Sequence, residues 1–260
     1  MLAIVGGGNM GAALAAGLLR SGFDPSRLSI CEVDEARRAA LEAQFPGVQV
    51  SSQLESCDEA IVAVKPGEVD AACRSAVKAG AERVLSIAAG VRLRLLSEAC
   101  GQAVRVVRAM PNTPAIVGEA CTAFTAAANC ALADREWARE LLSAVGSVIE
   151  VDEPMLDAFT GLFGSGPAYV FYVAEALKDA AIEAGFDSVA AAELVSRLFV
   201  GSAALLEAEP ENAAELRRRV TSPNGTTAAG IASLDEQHVR DAFINAVRAA
   251  TKRSKELGDA

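Results

Sequence analysis

Residues 2–11 read LAIVGGGNMG, and the order of those letters decides the fold. The apolar run at 2–5 suits a strand buried on both faces of a parallel sheet. It stops at a cluster of glycines, and a helix is expected from about Met10 to Ser21, with Gly22 as its stop. The cluster has G-x-G-x-x-G spacing. Gly6 permits the tight turn, Gly8 lets the backbone approach a pyrophosphate, and Gly11 lets the helix pack on the sheet. Asn9 and Met10 fill the places between, where the N–H groups of a helix start favour an anion. A leader peptide is the rival reading, but the stretch lacks a basic start and the glycines break its apolar run.

Further strands are expected at 28–31, 48–50, 59–64, 83–88, 104–107, 120–127 and 147–151. The segment 35–45 has helical spacing, with Ala36, Ala40 and Leu41 on one side, and ends at Pro46 and Gly47. Asp134 is expected to cap a helix whose one face carries Trp137, Leu141, Ala144 and Val145, with Gly146 ending it. Strands alternating with helices predict a doubly wound sheet. The texture changes at Asp152-Glu153-Pro154. Beyond it, 154–164, 168–185, 187–208, 211–220 and 226–257 read as helices punctuated by Pro167, Gly185, Pro210 and Pro223. The fold class is therefore α/β: an N-terminal Rossmann-type, mostly parallel sheet over 1–151, then an all-α domain over 152–260. Tyr169, Val170, Phe171, Tyr172 and Val173 put apolar groups on more than one helix face. About a hundred residues cannot easily cover that much surface, which predicts a helix-swapped or interlocked homodimer, a compact monomeric bundle being the alternative.

Composition narrows the function. The chain of 260 residues is 52% hydrophobic and only 5% aromatic, with a net charge of −10. That sign argues against nucleic acid and against anionic membranes. No apolar stretch of about 20 residues is uninterrupted, so no membrane span is expected. Six cysteines lack C-x-x-C spacing, and His238 is the one histidine, so no metal site is expected. Scattered, reduced cysteines suit the cytoplasm.

Other motifs fall at strand ends. Glu32 follows the second strand, where an acidic residue accepts hydrogen bonds from the adenosine ribose. It would repel a 2′-phosphate and so favours NADH over NADPH, although Arg37 and Arg38 nearby could hold a phosphate. Val64-Lys65-Pro66 ends the fourth strand and should border the cofactor crevice, with Lys65 there as a positioning group or a general acid. The loop 108–114, RAMPNTP, is stiffened by two prolines, and Asn112 offers a donor and an acceptor to a nicotinamide amide or ribose. Residues 164–169, GSGPAY, open the long apolar helix, with Pro167 in its first turn. Residues 220–227, VTSPNGTT, make a turn feeding a helix that Thr226 or Thr227 could cap. Several N–H groups would there converge on one point, as a carboxylate clamp requires.

From GGGNMG through VKP, RAMPNTP and GSGPAYVFY to VTSPNGTT, the whole chain resembles the pyrroline-5-carboxylate reductase family. The resemblance implies reduction of L-1-pyrroline-5-carboxylate to L-proline by hydride from NADH or NADPH. It implies that Thr227 holds the ring nitrogen, and that Ser222, Asn224, Gly225 and Thr226 hold the carboxylate across a dimer. Two departures stand out. Asn224 occupies a place where the family has glycine, and Asn tolerates the left-handed conformation. Glu32 replaces the residues that serve a cofactor phosphate.

Two other readings compete. A β-hydroxyacid dehydrogenase would carry a catalytic lysine where this chain has Val170, with Lys178 two turns further on. A nucleotide-binding regulatory module would need the glycine motif but not the 222–227 loop. Arg217, Arg218 and Arg219 read as a solvated face, His238 as a surface residue and Trp137 as core.

Overall fold

A computed structural model describes residues 1–209 and 212–258. Pro210, read above as a helix breaker, lies outside the described residues. The chain forms two compact units: Met1–Ser165 together with the segment from Arg248 onward, and Gly166–Val247. The packing boundary thus falls after the change of texture at Asp152. The helix Met155–Phe159 still packs on the sheet, with Leu156 and Phe159 against Ala123.

The first unit is built on one sheet of β1 (Leu2–Val5), β2 (Leu28–Cys31), β3 (Gln49–Ser51), β4 (Glu59–Val62), β5 (Arg83–Ser86), β6 (Arg105–Met110), β7 (Ala120–Ala126) and β8 (Gly146–Glu150). Their order is β3-β2-β1-β4-β5-β6-β7-β8. Every neighbouring pair is parallel except β6 with β7. Side chains alternate across the sheet. Leu2 and Ile4 join the core beneath α1 (Asn9–Arg20) and α5 (Leu132–Ser143). Ala3 and Val5 join the opposite core, beneath α3 (Val69–Lys78) and α4 (Leu93–Cys100). Burial on both faces is why these strands are apolar runs and not alternating patterns.

Several expected boundaries move. β4 ends at Val62, leaving Ala63 and Val64 to line cavities. β6 runs past Val107 to Met110 because its pairing with β7 continues to Met110 opposite Ala123. On α2 (Glu35–Gln44), Leu41 is buried but Ala36 and Ala40 are exposed, so these three do not share an inward face. Asp134 does not cap α5. The cap is Ala131, and Asp134 sits one turn inside, accepting from the Ala131 N–H at 2.9 Å. Its buried carboxylate also accepts from Arg83 Nε at 2.8 Å, and that partner is what fixes it there. The arginine in turn lies over the buried Trp137 ring. All six cysteines are free thiols.

The remaining helices are α6 (Met155–Phe159), which runs on into a π-helical turn at Thr160–Gly164, then α7 (Gly166–Glu183), α8 (Ser188–Ala208), α9 (Ala213–Arg219), α10 (Thr226–Glu236) and α11 (Val239–Gly258). The span 226–257, read as one helix, breaks in two at His238, which takes a left-handed φ of 54°. Against expectation, α8 is long and apolar enough to cross a membrane by length and composition. Glu193 and Arg197 nonetheless stand within it. Among the described residues of the second unit, Ala191 and Val195 are the buried apolar ones, while Phe171 is 61% and Tyr172 73% exposed.

Candidate active site

The strand order reverses between β1 and β4: the chain proceeds outward to β3 on one side, then returns to place β4 on the other. At such a switch point the carboxyl ends of the strands part and leave a crevice. A cleft of about 820 Å³ lies there, and Gly6, Gly8, Glu32, Val64 and Lys65 all line it. Gly6 has φ of 103°, and a Cβ on it would stand 2.6 Å from the Ala63 carbonyl oxygen. A Cβ on Gly11 would overlap the Gly6 carbonyl oxygen, so glycine is needed where helix meets strand. The space a side chain would fill at Gly8 is open.

Helix α1 begins at Asn9 and Met10 with no side-chain cap and no acidic residue in its first turn. Its leading N–H groups therefore keep their capacity for an anion. The open space at Gly8 and this uncapped start fit a dinucleotide pyrophosphate.

Glu32 stands at the edge of the same cleft. One of its oxygens accepts from the Gly7 N–H at 2.8 Å and the other from the Asp34 N–H at 2.9 Å. Arg37 Nε donates to the Gly7 carbonyl at 2.7 Å. Arg38 donates to the carbonyls of Glu32 and Val33 at 3.0 and 2.7 Å. Both arginines thus spend donors on main-chain oxygens. Lys65 is exposed at the cleft rim, and Pro66 opens a short 3₁₀ turn, Pro66–Glu68. The cleft is also lined by Ser52, Gln53 and Lys78, which the sequence reading did not single out.

A second cavity of about 260 Å³ shares Ala63 and Val64 with the first. Met10 and Asn112 line it as well, and so do Ile87, Ala88, Ala89 and Gly164. Ile87 and Ala88 escaped notice because they were read as strand, and Ala89 follows directly on them. Their place at the carboxyl end of β5 was the available signal. Asn112 spends part of its hydrogen-bonding capacity away from this cavity. Its amide Nδ2 donates to the Phe163 carbonyl at 3.0 Å, and its Oδ1 accepts from the Cys121 N–H at 2.9 Å. A buried amide must be satisfied, and here backbone groups satisfy it. Asn112 therefore braces the wall of the cavity.

The elbow 220–227 belongs to the second unit. Asn224 takes a left-handed φ of 58°, and Gly225 caps α10 through its backbone conformation. A Cβ on Gly225 would overlap the Ser222 hydroxyl. Neither Thr226 nor Thr227 caps the helix, contrary to expectation. They occupy its first two positions, and the first turn carries no acidic residue. The helix start thus presents N–H groups beside the hydroxyls of Thr226 and Thr227.

The chain is similar along its length to known proteins. Residues 153–257 match the family described as pyrroline-5-carboxylate reductase dimerisation, and residues 1–90 match NADP oxidoreductase coenzyme F420-dependent. A pyrroline-5-carboxylate reductase of Methanosarcina acetivorans is 38% identical over 99% of this chain and 97% of its own length. One from Synechocystis sp. is 39% identical over 99% of this chain and 98% of its own. The solved pyrroline-5-carboxylate reductase of Coxiella burnetii superposes with a TM-score of 0.91 at 33% identity, covering 98% of this chain and 97% of that one. The Plasmodium falciparum enzyme, solved with NADP bound, gives a TM-score of 0.87 at 27% identity over 99% of this chain and 97% of that one.

Proposed function

The chain belongs to the pyrroline-5-carboxylate reductase family, and from that premise we propose which of its residues carry the reaction. It is a nicotinamide-dependent oxidoreductase that reduces the C=N bond of L-1-pyrroline-5-carboxylate to give L-proline. A bound reduced nicotinamide supplies the hydride for the imine carbon.

Gly6, Gly8, Asn9, Met10 and Gly11 receive the pyrophosphate at the start of α1. Glu32 meets the adenosine ribose, and its negative charge favours NADH over NADPH. The engagement of Arg37 and Arg38 with main-chain oxygens supports that preference. The nicotinamide occupies the smaller cavity beside Val64, with Lys65 and Pro66 at the rim and Asn112 as a brace. Ser222, Asn224, Gly225 and Thr226 hold the substrate carboxylate, and Thr227 donates or accepts at the ring nitrogen. A protonated imine is already electrophilic, so orientation and a shaped polar cavity supply most of the catalysis. The active form is a cytoplasmic homodimer or a larger assembly of dimers, joined through the helices of the second unit.

The observation that carries the assignment of the elbow is the bare start of α10. A left-handed Asn224 and a glycine cap deliver its N–H groups free of any side-chain or acidic competitor. Thr227→Ala tests it. Loss of one positioned hydrogen bond should lower kcat roughly tenfold to a thousandfold. Steady-state turnover of the pyrroline equal to that of the parent would remove Thr227 from the reaction. A regulatory module would bind the cofactor with no turnover at all, which the same assay reads.

A further inference from the structure

Glu153 sits in the Asp152-Glu153-Pro154 corner that the sequence marks as a change of texture, and the catalytic assignment leaves it unused. One of its carboxylate oxygens, Oε1, accepts two hydrogen bonds. The Leu93 N–H donates at 2.7 Å and Arg108 Nη1 donates at 2.9 Å. These donors come from different walls of the smaller cavity. Leu93 opens α4, and the chain just before it supplies Ile87, Ala88 and Ala89. Arg108 lies in β6, 3% exposed, and the chain just after it supplies Met110, Pro111 and Asn112. The ladder that pairs Ser86 with Arg108 sets the strand spacing, and this single oxygen adds a tie between the start of α4 and β6.

The same corner holds the first wall a second time. Arg92 lies 3.8 Å from Asp157, whose buried carboxylate accepts from Ser254 Oγ at 2.8 Å. Arg92 Nε also donates to the Gly258 carbonyl at 3.3 Å. Arg108 is almost fully buried, and a buried guanidinium depends on its counter-charge. Removing Glu153 would leave Arg108 to find another partner and free the start of α4.

We propose that Glu153 is a positioning residue for hydride transfer, holding the start of α4 and the segment before it in place beside the nicotinamide cavity by bridging Leu93 and Arg108 through one oxygen. The inference rests on the assignment of the smaller cavity to the nicotinamide. It acts on the nicotinamide end of the cofactor alone, because the pyrophosphate and adenosine contacts arise from α1 and the edge of β2. NADH and ADP-ribose share those contacts and differ in the nicotinamide.

The test is binding of NADH and of ADP-ribose to Glu153→Ala and Glu153→Gln proteins, followed calorimetrically, alongside turnover. In Glu153→Ala, Kd for NADH should rise about tenfold while Kd for ADP-ribose stays within about twofold, and kcat should fall by roughly a hundredfold, the scale of a 1 Å misplacement. Glu153→Gln keeps an acceptor for the Leu93 N–H and should recover part of both losses. It also serves if the alanine variant does not fold. Equal weakening of both ligands, or no change in either, overturns the proposal. A parent protein that binds both nucleotides but never reduces the pyrroline defeats the functional reading instead, and the comparison of the two ligands still stands.

Discussion

The first unit fills its own interior, whereas the second leaves its apolar residues bare. In the first, Leu2, Ile4, Leu14, Ile30, Ile61 and Leu85 are almost fully enclosed. In the second, α7 buries none of its residues, and Phe171, Tyr172, Leu194 and Leu198 stand open. Each large apolar side chain taken from water contributes roughly 1.5–3 kcal/mol. The second unit forgoes most of that gain within one chain. A dimerisation family matches 153–257, and a second copy covering these faces would supply what the unit forgoes.

The comparison can be broken most severely at Phe171. Phe171→Glu should convert the assembly to monomers in sedimentation velocity and reduce turnover by roughly a hundredfold, because the elbow would no longer be held in a shared site. A fully active, dimeric Phe171→Glu protein would show that the bare face is not an interface. Leu14 probes the opposite region. Leu14→Ala should cost about 3 kcal/mol in denaturant unfolding, by transfer and cavity terms together. That loss should not change with protein concentration, whereas the midpoint for the intact assembly should. The smallest effect concerns the cofactor, which is read within the first unit alone. Glu32→Ser should shift the ratio of kcat/KM for NADPH over NADH upward by about tenfold, equivalent to ~1.4 kcal/mol. Sedimentation should meanwhile remain that of the parent. An unchanged ratio would show that Glu32 serves the Gly7 and Asp34 N–H groups and does not read the ribose.

What the sequence made legible follows the same division. The first strand was readable because burial on both faces writes it as an apolar run, which Gly6 ends. The glycine loop could be located because strand, turn and helix follow one another without a gap. The break at His238 was hidden, since neither glycine nor proline marks it. The start of α5 was misplaced because alanine caps it, while Asp134, the residue that looks like a cap, serves Arg83. Asn112 looked like a ligand contact because its chemistry suits one. Its bonds to the Phe163 carbonyl and the Cys121 N–H, which the sequence does not show, add a bracing role at the cavity it lines. Glu153 gave no local signal at all. Its two partners lie 60 and 45 residues away along the chain.

Helix α11 carries a consequence for how the chain is made. It begins in the second unit, yet from Arg248 onward it is packed with the first. Thr251 closes against Gly161, Ser254 bonds to Asp157, and Leu257 reaches Gly90. A ribosome delivers those seats long before their occupants. The N-terminal unit therefore waits, incompletely closed, until residues 251–257 emerge, and a chain truncated before Thr251 would leave its earliest-born half unsealed.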